Sequence, residues 1–297
     1  MRIFVTGASG FIGSAIVKDL LAAGHEVLGL ARSDAAAASL EAAGADAHRG
    51  SLEDLESLRA GAAMTDGVIH TAFNNLDLSK FAESSEVERR AIEAFGSVLE
   101  GTNHPLIVTA GFASLVQGRR ATENDVRLPG TNPSPRVSEA TAMALAERGV
   151  CASVVRLPCV HGHGDRFTIP MYIDIARKTG VSAYVGDGLN RWSAVHNVDA
   201  GSLYRLALEN KAADVRYHAV AEEAVPYKDI AEVIGRRLNV PVVSKAIDEA
   251  RAHFGALAMF AQADIPASSA LTREWLGWQP KGPRLLADID QPSYYET

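Results

Sequence analysis

Met1-Arg2-Ile3-Phe4-Val5-Thr6-Gly7-Ala8-Ser9-Gly10-Phe11-Ile12-Gly13 opens the chain, and the fold follows from how this stretch is read. A short β-branched and aromatic run meets three glycines and passes into an apolar pattern of helical period. That is the strand–turn–helix context a phosphate-cradling loop requires. Glycine lets the backbone turn tightly and approach a pyrophosphate, while the helix start offers free N–H groups and a positive dipole end. Gly7, Ser9, Gly10, Phe11, Ile12 and Gly13 are therefore expected to contact a dinucleotide.

Outward from this loop the first half alternates short apolar runs with helical patterns. Strands are predicted over Arg2–Thr6, Glu26–Leu30, Asp46–Arg49, Gly67–Thr71, Pro105–Thr109 and Cys151–Leu157. Helices are predicted over Phe11–Ala23, Ala35–Ala43, Ser79–Glu100 and Ser134–Arg148, with Ser79 as an N-cap and Gly101 as a stop. Such alternation specifies an α/β, Rossmann-type doubly wound parallel sheet, with ligands outside the carboxyl ends of its strands. After residue 165, prolines and glycines break the pattern into shorter pieces. The expected division is a dinucleotide-binding domain over 1–165 and a smaller, partly interwoven C-terminal substrate lobe over 166–297. Phe260, Trp275 and Trp278 read as core of that lobe.

Composition narrows the class. At 297 residues and 47% hydrophobic content the chain can bury a full core. A net charge of −7, with no basic run, argues against a nucleic-acid surface. Two cysteines, Cys151 and Cys159, exclude a disulfide framework and suit a reducing, cytoplasmic setting. No stretch approaches the ~20 apolar residues of a membrane span, and residues 2–6 already read as a core strand rather than a signal peptide.

The second strand selects the cofactor. A carboxylate at its end binds the ribose of NAD, whereas an arginine accommodates the 2′-phosphate of NADP. Eighteen residues past Gly13 stands Ala31, followed by Arg32 and Ser33. A guanidinium and a hydroxyl thus stand where a phosphate would lie, and NADP(H) is expected. Asp34, close by, keeps NAD open.

Taken together, these residues resemble the extended branch of the short-chain dehydrogenase/reductase superfamily, of the NAD-dependent epimerase/dehydratase type. Thr6–Gly13 looks like its GxxGxxG motif, and Val68-Ile69-His70-Thr71-Ala72-Phe73 is similar to its fourth-strand end. Arg156-Leu157-Pro158-Cys159-Val160-His161-Gly162 resembles its RPxxVYG segment. Gly186-Asp187-Gly188 followed by Val195-His196-Asn197-Val198-Asp199 is similar to its GDG…VHVxD stretch, and Leu276-Gly277-Trp278-Gln279-Pro280 to its LGW-P ending. The resemblance implies cofactor contacts from Ser51, Leu52, Thr71, Ala72, Phe73, Thr109, Pro158 and Val160. It also implies that the helices after the fourth and fifth strands are available for a homodimer, while their charges (Glu86, Glu88, Arg89, Arg90) leave a monomer open.

The chemistry departs from the family. Its members use a Ser/Thr after the fifth strand and a Tyr-x-x-x-Lys on the next helix, and no Tyr-x-x-x-Lys occurs in this chain. Aligned by the strand end, Gly111 falls near the Ser slot, flanked by Thr109 and Ser114. Arg136 falls where the Tyr belongs, and Ala140 in the Lys position. A guanidinium is a poor acid but a good fixed charge for a developing oxyanion or an acidic substrate. Alternatively, Arg136 is a surface residue paired with Glu139.

His161, in the Tyr slot of the VYG segment, is a candidate proton donor at neutral pH. His161 and His163 lack the further spacing of a metal site, and no metal is expected. Cys159 reads as a buried inert thiol. Trp192 lies where it would line the substrate pocket or sit in the core, and Tyr172 and Tyr184 are the phenols available in the lobe. The lobe's apolar residues (Met171, Ala183, Trp192, Phe254, Phe260) point to a moderately hydrophobic small molecule. For a sugar-nucleotide diphosphate only Arg166, Arg191 and Arg273 offer themselves. The expected function is an NADP(H)-dependent oxidoreductase acting on a small carbonyl, imine or quinone with a non-standard proton donor, Arg136, Ser114 and His161 being its catalytic candidates. The alternatives are an epimerase or dehydratase on a sugar-like substrate and a non-catalytic NADP(H)-binding sensor.

Overall fold

Arg2–Thr6 (β1) carries Ile3, Phe4 and Val5, all without solvent exposure, so both faces of this strand are covered. In the computed structural model, which describes residues 1–74, 78–112, 115–116, 118–126 and 136–296, it lies inside a sheet of seven strands. The first half supplies Glu26–Ala31 (β2), Asp46–Arg49 (β3), Gly67–His70 (β4), Leu106–Gly111 (β5) and Ala152–Leu157 (β6). Cys159–His161 (β7), Ser182–Val185 (β8), Arg191–His196 (β9), Arg216–His218 (β10), Glu222–Pro226 (β11) and Val242–Lys245 (β12) follow. The large sheet runs β10-β6-β5-β4-β1-β2-β3 with every pairing parallel. β1 pairs with both β2 and β4, so the chain reverses its direction of winding there and leaves a crevice at the carboxyl ends.

Helices cover both faces, as buried parallel strands demand. They are Phe11–Ala22 (α1), Asp34–Ala42 (α2), Leu55–Ala63 (α3), Phe81–Leu99 (α4), Ser138–Glu147 (α5), Thr168–Thr179 (α6), Asn197–Asn210 (α7) and Tyr227–Leu238 (α8). Ala250–Phe254 (α9), Ala258–Ala261 (α10), Ala270–Leu276 (α11) and Leu285–Ile289 (α12) complete the set. Alternation along β1 sends Ile3 and Val5 into the core beneath α1 and α7, and Phe4 into the core beneath α3, α4 and α5. Gly101, at φ +78°, ends α4 as expected. Ser79 is not its cap: a 3₁₀ turn over Leu78–Lys80 comes first and puts Lys80 in that position. α5 starts at Ser138, and Ser134 lies outside the described residues.

Beyond residue 165 the chain returns to the large sheet. α7 lies on α1 so closely that a Cβ on Gly201 would stand 2.9 Å from the Ala15 carbonyl oxygen, and β10 adds the sheet's outer strand beside β6. Trp278 joins the same core, its indole N–H donating to the Asp199 carbonyl at 3.1 Å, while Trp275 is exposed against Tyr217. Neither tryptophan belongs to the lobe core, contrary to expectation: Trp275 lies in α11, which packs on α7 and β10, and Trp278 comes just after it. The lobe proper is the β11-β9-β7 sheet, the β8–β12 pair and α6, α8 and α9 packed around Tyr172, Trp192, Tyr227 and Phe254. Among the described residues no helix is long and apolar enough to cross a membrane.

Candidate cofactor and active site

The glycine loop is closed by hydrogen bonds and contacts that leave no space for side chains. Gly7 sits at φ +70°, and a Cβ there would lie 2.7 Å from Thr71 Oγ1 and 2.9 Å from the Ala72 nitrogen. Gly10 N–H donates to the Gly7 carbonyl at 2.9 Å. At Gly13 a Cβ would stand 2.0 Å from that same carbonyl oxygen, so α1 rests on the loop backbone itself. Gly10 caps α1 in extended conformation without a side-chain hydrogen bond, and the first turn holds no acidic residue. Phe11 and Ile12 turn their side chains onto the core, leaving backbone N–H groups at the helix start, and Ser9 is exposed beside them. Cradle, dipole and absent carboxylate together fit a dinucleotide diphosphate.

At the next strand ends, Ala31 is buried and Arg32 exposed, and Arg32 makes no ion pair among the described residues. Ser33 caps α2, accepting the Ala36 N–H at 3.2 Å. Asp34, which kept NAD open in the sequence, is held by Arg49 of β3. Past β3, Ser51 is half-buried and Leu52 packs against the core.

The mouth of β4 and β5 is a network of committed hydroxyls. Thr71 Oγ1 donates to the Thr6 carbonyl at 2.8 Å, the Ala72 N–H donates to Thr6 Oγ1, and Thr6 Oγ1 lies 2.7 Å from His70 Nδ1. Thr109 Oγ1 donates to the His70 carbonyl at 2.9 Å, so the Tyr204 hydroxyl, 2.7 Å away, donates to Thr109. Thr109 therefore offers this site backbone rather than a hydroxyl. Burial pushes the Tyr204 phenol up, far from the role of an acid.

Over this floor lies Arg136. Its Nε donates to Glu88 Oε2 at 3.0 Å and one Nη to Glu88 Oε1 at 2.5 Å, and the same Nη reaches the Thr109 carbonyl at 3.2 Å. The guanidinium stands 4.2 Å from the Phe73 ring centre, and Phe73 in turn packs on Phe81. Glu88 is 1% exposed; burial raises its carboxyl above the usual range, with Arg136 pulling it back. The pairing of Arg136 with Glu139 does not occur. Glu139 instead holds Arg156, 2.9 Å from Nε, and Arg156 also reaches the Asp125 carbonyl and His218. A carboxylate on the apolar stripe of α4, between Ser85 and Ile92, was the available sign of Glu88's role. Ser114, the remaining hydroxyl candidate, lies outside the described residues.

His161 is not brought to Arg136. Along β7, Val160 faces the core under the large sheet, so Cys159 and His161 face the lobe. The His161 ring is 1% exposed, Nδ1 lies 2.8 Å from Asp288 of α12, and the ring stands edge-on to His196. Tyr294 donates to the same Asp288 oxygen at 2.7 Å and accepts the Gly162 N–H. Although burial pushes the Asp288 carboxyl up, these hydrogen bonds outweigh it and hold the group below the usual carboxylate range. Pro158 is half-buried between β6 and β7.

The aromatic residues of the lobe are likewise core, although Tyr172, Ala183, Tyr227 and Phe254 also border a small hollow between α6 and α8. Trp192 donates to the Phe260 carbonyl, Tyr172 to the Leu257 carbonyl, and Ala183 and Phe254 are buried with them. Tyr172 cannot supply the missing phenol, since burial pushes it up and encloses it, and Tyr184 lies beside Lys228. Cys159 is buried with its thiol pushed well up, as an inert cysteine should be.

Two buried histidines make the fold sensitive to acid. Burial first, and Arg136 and Arg156 respectively second, push His70 and His218 down to about 3. Both stay neutral while folded, whereas the unfolded chain takes up protons from about pH 6.5 downward. Their stabilising contribution is full above that pH and is lost as pH falls toward 3, at up to about 1.4 kcal/mol per pH unit for each. Urea titrations at pH 7, 6 and 5 are expected to show this decline, and His218→Gln to make it shallower. An unchanged slope in His218→Gln contradicts the assignment.

Residues 3–104 match the model of the NAD dependent epimerase/dehydratase family. An uncharacterized protein of Schizosaccharomyces pombe is 50% identical, covering 99% of this chain and 100% of the other. The 2-alkyl-3-oxoalkanoate reductase of Stenotrophomonas maltophilia is 27% identical over 83% of this chain and 78% of its own. In fold, the structure is similar to the dTDP-glucose 4,6-dehydratase DesIV of Streptomyces venezuelae, solved with NAD bound, with a TM-score of 0.78 at 19% identity over 99% and 97% of the two chains. The chain belongs to the NAD-dependent epimerase/dehydratase family. Members of this family are NAD(P)-dependent oxidoreductases, epimerases or dehydratases.

Proposed function

We propose that this protein is an NADP(H)-dependent oxidoreductase that reduces a small, moderately hydrophobic carbonyl, imine or quinone. The observation that carries the proposal is the Arg136 guanidinium, fixed by buried Glu88 and the Thr109 carbonyl at the mouth of β5. When bound at the glycine loop, NADPH supplies the hydride; the rest of the chemistry is the protein's. Arg136 holds positive charge where the substrate oxygen gains negative charge, and its partners prevent it from turning away. With His161 facing the lobe, the oxygen takes its proton from water, which suits acceptors that need little acid help.

Apolar lining supports the substrate class on different residues from those first expected. Phe112, directly after Gly111, shares a hollow with Leu115, Val116, Ala121, Ile265 and Pro266. A sugar-nucleotide diphosphate would find few cations. Arg191 is paired with Asp264 and Arg273 donates to the Val220 carbonyl beside Trp278, which leaves exposed Arg166 as the remaining candidate. The Stenotrophomonas relative, a reductase of 3-oxo acids by name, points the same way.

Arg32→Ala is expected to weaken NADPH binding about tenfold, near 1.4 kcal/mol, with NADH unaffected. Fluorescence titration with both nucleotides reads this directly, and an unchanged NADPH affinity removes the assignment of NADP(H). The function itself is tested by NADPH oxidation against a panel of ketones, imines and quinones. Turnover of an acceptor supports the reductase. Tight binding without turnover supports a sensor, and redox-neutral conversion of a sugar substrate an epimerase or dehydratase.

A further inference from the structure

Granted NADP(H) as the cofactor, the 2′-phosphate site extends beyond Arg32. β2 and β3 are parallel neighbours whose register sets Ala31 opposite Arg49, and the Gly50 N–H donates to the Ala31 carbonyl at 3.2 Å. Arg32 follows Ala31 directly, one residue past that register pair, and the ion pair with Asp34 carries the Arg49 guanidinium to the start of α2, two positions along the chain from Arg32. Both arginines stand at the carboxyl end of the sheet, on the two strands that follow outward from the glycine-loop strand β1, on the side where the adenosine half of a dinucleotide falls.

Arg49 spends its charge on Asp34, the first residue of α2. The Asp34 side chain is 99% exposed and that of Arg49 53%, so water screens the pair and it opens at little cost. A phosphate dianion is the stronger partner for a guanidinium, because the contact is bidentate and charge-assisted. Ser33 adds a donor: its oxygen accepts the Ala36 N–H, which leaves the O–H for the same anion.

We propose that Arg49 is a second, specificity-determining ligand of the 2′-phosphate and that Asp34 is its placeholder, occupying the guanidinium until the phosphate displaces it. NADH has no group to make that exchange and leaves the Arg49–Asp34 pair closed. The arrangement also withdraws Asp34 from the ribose-binding role that would favour NAD.

Calorimetric titration with 2′,5′-ADP and 5′-ADP, fragments with and without the phosphate, tests this without any turnover. Arg49→Ala is expected to weaken 2′,5′-ADP about five- to tenfold, and Asp34→Ala to tighten it about threefold, with 5′-ADP within about twofold throughout. The double variant is expected to be as weak as Arg49→Ala. Recovery of wild-type affinity in the double variant overturns the proposal, because Arg49 then does no more than neutralise Asp34. Weakening by Arg32→Ala but not by Arg49→Ala overturns it too, while leaving the NADP(H) assignment intact. If the wild-type protein binds both fragments equally and neither arginine variant differs, the cofactor assignment and this proposal fall together.

Discussion

Arg136→Ala is expected to lose about 10²–10³-fold in kcat/KM toward any accepted substrate, the usual scale for removing a fixed oxyanion partner. It should also lose stability, because Glu88 is left buried without either of its guanidinium hydrogen bonds. Breaking a buried pair on one side costs roughly 3–5 kcal/mol. Partial exposure of the Arg136 side chain, at 19%, places this loss near the low end. The pH dependence follows from Glu88. Its carboxyl is already raised by burial, and without Arg136 it rises further. A carboxyl raised in the folded state stabilises at pH values below its unfolded pKa, and that contribution is lost as pH rises through the folded one. The deficit of the variant relative to wild type is therefore expected to be largest near pH 8 and to shrink toward pH 5. Adding Glu88→Gln to Arg136→Ala should recover part of the melting temperature at pH 8, without recovering turnover. Arg136→Lys keeps a charge but cannot span both Glu88 oxygens and the Thr109 carbonyl, so intermediate activity is expected. An Arg136→Ala protein with wild-type kcat/KM sinks the proposed role.

Gly13→Ala is expected to have the largest effect on the fold itself. The added Cβ would lie 2.0 Å from the Gly7 oxygen, 2.6 Å from the Gly7 carbonyl carbon and 2.9 Å from the Ala8 Cα. All three are backbone atoms, so no side chain can rotate away; α1 must lift from the loop. Ile16, Val17 and Leu20, which α1 buries under the large sheet, would lift with it. A loss of more than about 4 kcal/mol is expected. At about 2–4 °C per kcal/mol for a chain of this size, that is a fall of roughly 10 °C in Tm, together with loss of dinucleotide binding. Gly111→Ser is the contrast. No described heavy atom lies within 4 Å of a Cβ there, and stability is expected to stay within about 0.5 kcal/mol. Thermal melts and NADPH titrations compare the two, and a Gly13→Ala protein that melts and binds like wild type contradicts the close-packing argument.

The strand edges of the first half were legible from sequence because a fully buried parallel strand is a continuous apolar run, as in Ile3-Phe4-Val5 and Ile107-Val108. The glycine loop was legible for a related reason: its spacing encodes backbone conformation, and Gly7 at φ +70° bears it out. The lobe was harder. Trp192 and Phe254 have the apolar character of a substrate pocket and of a core alike, and only their packing around Tyr172 and Tyr227 tells which they form. Trp278 lies late in the chain yet completes the first domain's core, a placement no local pattern contains.

By itself, then, the sequence determined what is local: strand and helix alternation, the turn that needs glycine, the arginine at the end of β2, and the absence of a Tyr-x-x-x-Lys. These depend on φ, ψ and the two side-chain periods, which neighbouring residues settle among themselves. Tertiary structure alone decided the partners. Arg136 meets Glu88 across 48 residues, Thr109 meets Tyr204 across 95, and His161 meets Asp288 across 127. Each pairing is selected by burial: a charge or hydroxyl removed from water must find its complement wherever the topology delivers one. A one-residue alternation along β7 then turns His161 toward the lobe and leaves the mouth of β5 to Arg136.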